Sequence, residues 1–106
     1  MVVLKNEVWM TKLKPTLGSE INKTRPCIIV SPDVSNKHKK SVVIIPLTST
    51  LKDFPSRVNC TFQNKQGQIV IDQIRTVDKI RLVKKLGTID DVTSKKIYEM
   101  IKIYFK

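Results

Sequence analysis

Few groups in this 106-residue chain can do chemistry: it holds one histidine and two cysteines, so arginine, threonine and carboxylates must carry whatever it does. Three short segments place such groups close together: KTRP at 23–26 with Arg25, PLTST at 46–50 with Thr48, and DQIR at 72–75 with Asp72, Gln73 and Arg75. A guanidinium offers planar paired donors matched to phosphate oxygens and stays charged, so Arg25 suits charge stabilisation at a reacting phosphate. A hydroxyl just beyond Pro46 could donate to a nonbridging oxygen. Each group also has a plainer reading. Arg25 could sit in an ordinary ion pair, Thr48 could bond its own turn, and Asp72 could accept from nearby backbone or arginine. Residue by residue the plainer readings have the higher base rate, so the surrounding segments must decide.

His38 stands among Lys37, Lys39 and Lys40 and reads as a solvated loop residue. Without a second histidine there is no ribonuclease-type acid and base pair. Cys27 and Cys60 lie inside apolar runs with no Cys-x-x-Cys spacing, which removes the usual zinc patterns and leaves both expected to be reduced and buried.

The chain carries 20 Lys and Arg against 9 Asp and Glu, a formal charge of +11. A polyanionic partner is the natural inference, with solubility as the plainer alternative. The charge is spread: the first 50 residues carry about +5 and the remainder about +6, which argues against a basic tail. Apolar residues make up 41% of the chain, enough for one core, and the length suits one domain rather than two. No apolar run approaches the roughly 20 residues needed to span a membrane. Lys5, Asn6 and Glu7 break up the N-terminal stretch as a signal peptide, so a cytoplasmic location is expected.

The elements that must position these groups follow from periodicity. Residues 7–13 (EVWMTKL) read as a first strand, and 15–24 as a long surface loop rich in turn residues. Residues 26–30 and 41–45 are short β-branched apolar runs, expected as buried strands, with SPDVSNKHKK between them as a turn and charged connection. Pro46 is expected to release the chain from the second of these. Further strands are expected over 57–62 and 68–74, joined as a hairpin by a loop at 64–67, and over 82–89 after a helical turn begun by Asp78. Ile97, Met100, Ile101, Tyr104 and Phe105 form a stripe at helical period, capped by Asp90 or Asp91. Trp9, Tyr98 and Tyr104 are assigned to the core rather than to base stacking. Several short strands closed by one helix suggest a small, strongly bent β-barrel of mostly β class.

Taken together, EVW at 7–9, PTLGSE at 15–20, KTRP at 23–26, SPD at 31–33, PLTST at 46–50 and DQIRTVDKIRL at 72–82 resemble, in order, the MazF/PemK (Kid-like) toxin family of type II toxin-antitoxin systems. The resemblance implies an SH3-like β-barrel with a C-terminal α-helix packed on it, over 1–106 as one toxin domain. It implies a homodimer, an acidic and partly disordered cognate antitoxin, and sequence-selective cleavage of single-stranded RNA with no metal ion or cofactor. By the same resemblance Arg25 and Thr48 match the catalytic pair. The RNA 2'-hydroxyl would attack the adjacent phosphate and leave a 2',3'-cyclic phosphate and a 5'-hydroxyl end. Ser19, Glu20 and Lys23 lie in the family's flap and, with Thr24, Ser49, Gln73 and Arg75, are expected as substrate contacts. Asp72 is expected to organise the site.

Some relatives carry a histidine and an arginine where this chain has Ser19 and Val70. Those departures remove two proton-transfer candidates, concentrate the work on Arg25 and Thr48, and leave the general base unassigned. Because a guanidinium stays protonated, Arg25 is assigned charge stabilisation. Two rival readings stand beside this one. A gyrase-poisoning toxin of related fold would end in Trp-Gly-Ile, whereas this chain ends Ile103-Tyr104-Phe105-Lys106. A non-catalytic RNA-binding module would show salt-dependent affinity without turnover.

Overall fold

The computed structural model describes residues 1–13 and 24–106. Seven antiparallel strands build one curled sheet: β1 (Glu7–Lys12), β2 (Thr24–Ile29), β3 (Ser41–Thr48), β4 (Arg57–Phe62), β5 (Lys65–Val70), β6 (Arg75–Asp78) and β7 (Leu82–Thr88). Neighbours run β4-β5-β3-β2-β1-β7, with β6 also beside β3. Helix α1 (Asp33–His38) joins β2 to β3, and α2 (Asp91–Tyr104) follows β7. The mostly β barrel with a C-terminal helix implied by the sequence is the observed architecture.

The second half of β2 and the middle of β3 are apolar runs because both of their faces are covered. Register lines up Val8, Ile28 and Ile45 across β1, β2 and β3 on one face, where they join Leu47, Ile69 and Ile97. Trp9 and Cys27 pair on the other face, with Ile29, Val42, Ile44 and Leu82. The period of two along each strand thus feeds two cores. Ile97 of α2 is 1% exposed, and Met100 and Ile101 pack beside it on the first core. The helix is capped by Asp90, whose carboxylate accepts from the Thr93 amide at 2.8 Å.

Four expectations need correction. β3 does not stop at Ile45: it continues through Pro46 to Thr48, changing partner on the way from β6, paired at Ser41 to Ile44, to β5, paired at Leu47 and Thr48. A residue with no N–H is tolerated at that junction because no ladder acceptor waits for it there. The expected strand over 68–74 divides into β5, a short 3-10 turn (Ile71–Gln73) and β6. The hairpin turn between β4 and β5 is tighter than 64–67: Gln63 and Asn64 both take positive φ, 51° and 64°, as a two-residue turn with right-handed twist requires. Gly67 serves close packing instead, since a Cβ there would lie 2.9 Å from the Thr48 carbonyl oxygen. Finally, the charged connection after Ser31 contains α1, fixed by Asn36, 1% exposed, whose amide donates to the Ser31 carbonyl at 2.9 Å.

Tyr104 and Phe105 leave the core, being 47% and 53% exposed, although their ring centroids meet edge to face at 5.1 Å. The core assignment holds for Trp9, which is buried, and not for Tyr104. Among the described residues no helix is long and apolar enough to cross a membrane.

Candidate active site

Register brings Arg25 to Thr48. The β2–β3 ladder ends at Cys27 paired with Pro46, and just beyond that end Arg25 and Thr48 line the same cleft. On its other side Arg25 pairs with Thr11 of β1. Arg25, Thr48 and Ser49 line one cleft of about 300 Å³ whose walls include Met10, Pro26, Leu47, Phe62 and Leu86, with Lys65 and Gln66 of the β4–β5 hairpin also lining it. A cationic group and a hydroxyl therefore meet in a largely apolar hollow, where electrostatic interactions gain strength.

Arg25 is half-buried, and its Nε is buried with no hydrogen-bond partner among the described residues. Leaving such a donor unpaired costs about 1–3 kcal/mol, a cost removed when an anionic oxygen arrives to accept from it. The ordinary ion-pair reading fails among the described residues, where the one salt bridge is Lys85 to Glu7 at 2.8 Å, away from this cleft. Thr48 is 7% exposed, and its Oγ1 accepts from the Thr50 amide at 3.2 Å. The turn-residue reading of Thr48 is therefore correct, and it is compatible with the chemical one: the accepted bond fixes the oxygen and leaves the hydroxyl hydrogen to be donated.

The remaining candidates are placed as follows. Ser49 is exposed and lines the cleft. Thr24 is exposed at the start of β2 and is not part of the cleft lining. Arg75 pairs with Ile44 on β6 and also lies outside that lining. Burial pushes the Cys27 thiol up to about 12, and the Thr11 side chain, the Arg75 charge and the Arg25 charge each pull it down against that effect. Two guanidinium groups thus lie within electrostatic reach of one sulfur. Gln73 is half-buried and Asp72 exposed in the turn before β6. Asp72 makes no ion pair among the described residues, so the geometry adds nothing to its expected organising role. Ser19, Glu20 and Lys23 lie outside the described residues.

His38 is exposed at the end of α1, not in a loop. Cys60, half-buried in the cleft wall, has its thiol raised, by burial first and by the Asp90 charge second. Among the described residues no three His, Cys, Asp or Glu side chains cluster as metal ligands. Sequence reasoning passes over Gln68 and Arg57, which back the Thr48 end of the cleft. The only signal was a glutamine beside the apolar run of β5.

Comparison with known proteins finds relatives that match nearly the whole chain. The chain is 28% identical over 109 residues to the endoribonuclease EndoA of Bacillus subtilis, covering 97% of this chain and 94% of that one. A mycobacterial endoribonuclease solved with its cognate antitoxin superposes with a TM-score of 0.79 at 27% identity, over 97% of this chain and 94% of that chain. MazF from Deinococcus radiodurans shares the fold, with a TM-score of 0.89 at 20% identity over 99% and 97% of the two chains. The family model for the PemK-like, MazF-like toxin of type II toxin-antitoxin systems matches residues 5–105, and the chain belongs to that family.

Proposed function

We propose that this chain, as one toxin domain, is an endoribonuclease that cuts single-stranded RNA at the Arg25–Thr48 cleft, using the RNA's own 2'-hydroxyl as nucleophile. Such a reaction needs neither metal nor hydrolytic water. The protein must align the 2'-oxygen with the adjacent phosphorus, move protons, and stabilise the charge that builds on the phosphorane oxygens. Arg25 supplies a fixed charge with an unpaired buried donor, and Thr48 supplies a hydroxyl held by its own turn. One bond forms between the 2'-oxygen and phosphorus while the bond from phosphorus to the 5'-oxygen breaks, giving a cyclic phosphate and a 5'-hydroxyl end.

The observation that carries this reading is that Arg25 and Thr48 line one cleft in a chain that belongs to the toxin family. Arg75 lies outside the cleft lining and adds to the positive charge that would attract the RNA backbone. The reading extends to a homodimer in the cytoplasm, held in check by an acidic antitoxin suited to a chain of charge +11. An endoribonuclease relative has been solved with its cognate antitoxin, which supports that partner class.

The test is incubation of a long unstructured RNA with the purified protein in EDTA, beside Arg25→Ala, with the new ends mapped. Cuts at a short recurring sequence, bearing cyclic phosphate and lost in the variant, are expected. RNA binding without cuts would favour a silent binding module instead.

A further inference from the structure

Directly across β5 from Thr48 lies Gln68, only 7% exposed. Its Nε2 donates to the Lys52 carbonyl at 3.0 Å and to Asn59 Oδ1 at 2.9 Å, and its Oε1 accepts from the Lys52 amide at 2.9 Å and from Arg57 Nη1 at 3.0 Å. Both donors and both lone pairs of the amide are used. The two bonds to Lys52 copy one step of a β-ladder, so a side chain serves as the rung for a segment that belongs to no strand. Arg57 Nη1 donates in addition to the Thr50 carbonyl at 3.1 Å, with its guanidinium 5.5 Å over the Phe54 ring. The Thr50 amide in turn holds Thr48 Oγ1.

An unbroken path of hydrogen bonds therefore runs from Gln68 through Arg57 and Thr50 to the Thr48 hydroxyl. The neighbouring core, built from Leu47, Val58 and Ile69, could be filled by an apolar side chain with no desolvated amide to satisfy. The Gln68 amide at the centre of the polar network is fully bonded, while Arg57 Nε is buried with no partner among the described residues, and the four bonds to that amide fix one conformation of what they touch. What they touch here is the backbone that aims Thr48.

We propose that Gln68 is a positioning residue for the cleavage reaction, holding the Thr48 hydroxyl in its productive orientation through Arg57 and the 50–52 backbone. The inference rests on the nuclease reading for its kinetic consequence, and on the geometry alone for its structural one. Gln68 itself does not line the cleft and acts only through the clamp.

Two variants and two readouts test it. Gln68→Met removes all four bonds at similar volume, while Gln68→Glu keeps the accepted bonds and loses the donated ones. In folded protein, hydrogen exchange at the Thr50 amide is expected to quicken about tenfold or more in Gln68→Met and less in Gln68→Glu. In cleavage, the rate at saturating RNA is expected to fall about tenfold or more with KM within about twofold, because the lost interaction matters at the transition state. In a Thr48→Val background the same Gln68 substitution is expected to change the rate no further, since its route of action is gone. Unchanged Thr50 exchange would overturn the clamp, and equal losses in both backgrounds would overturn its action through Thr48. If the wild-type protein cut no RNA, the nuclease reading would fall, and the kinetic part of the inference with it. The exchange measurement would still decide the clamp.

Discussion

Arg25 has no carboxylate beside it among the described residues, so its charge is available to a ligand while its Nε sits out of water. The paired planar donors matter as much as the charge, and a lysine keeps only the charge. Arg25→Lys is therefore expected to cost about a hundredfold in cleavage rate, as removal of one aligned donor from a transition-state site commonly does. Single-turnover rates on a mapped RNA check this. Near-wild-type cleavage by the lysine variant would mean that a point charge suffices. The cysteines supply a second expectation. Burial raises the Cys27 thiol to about 12, so at neutral pH it is almost wholly protonated, while Cys60 is half-buried in the cleft wall. Iodoacetamide at pH 8 should label Cys60 before Cys27 in the native protein, and both alike after unfolding, as peptide mass mapping would show. That Arg25 and Thr48 share a cleft was legible as an expectation because the short segments around them resemble the family's. Gln68 was not, because its role depends on a register and a loop path that no local spacing encodes.

The strands were legible in kind because the β-branched runs have no alternative to burial on both faces. Their ends were not. Pro46 reads as a stop in sequence, yet β3 continues through it because the strand changes partners at that point. Helix α1 was missed because what orders it is the bonding of Ser31 with Asn36, which an amphipathic pattern does not reveal. Gly67 reads as a turn residue, whereas its observed duty is to let β5 approach the Thr48 carbonyl. Gly67→Ala, meeting backbone at 2.9 Å, is expected both to destabilise the fold and to slow cleavage by displacing the end of β3. Ile45→Ala is expected to cost about 2–5 kcal/mol of stability through the cavity it leaves in the first core. Urea unfolding of the two variants, read beside their cleavage rates, separates these effects. Gly67→Ala should lose more rate than its stability loss explains, and Ile45→Ala should not.

At the scale of the molecule, β4 and β7 are the two ends of the strand order, and side chains rather than a ladder bridge the seam between them. Gln63 Nε2 donates across that seam to the Leu86 carbonyl at 2.8 Å, and the Phe62 ring lies against Gly87. The N-terminus is tied in through Glu7, 5% exposed. Burial would raise its carboxyl, but the Lys85 ammonium, the Leu4 amide and the Trp9 indole together hold it below the usual 4.5. A depressed carboxyl stabilises the fold above its unfolded-state value, and that contribution is lost as pH falls through the lowered folded value. Thermal unfolding should therefore show stability falling below about pH 4.5, and Glu7→Gln should flatten that limb. The overall charge of +11 suits a polyanionic partner, but it does not locate the cleft. The most direct test of the cleavage account replaces the 2'-hydroxyl at a mapped cut by hydrogen and compares cleavage of that RNA with its unmodified twin. The account predicts that cutting at that bond stops while the modified RNA still competes for binding. Continued cutting there would contradict it, because the nucleophile would then have to be water.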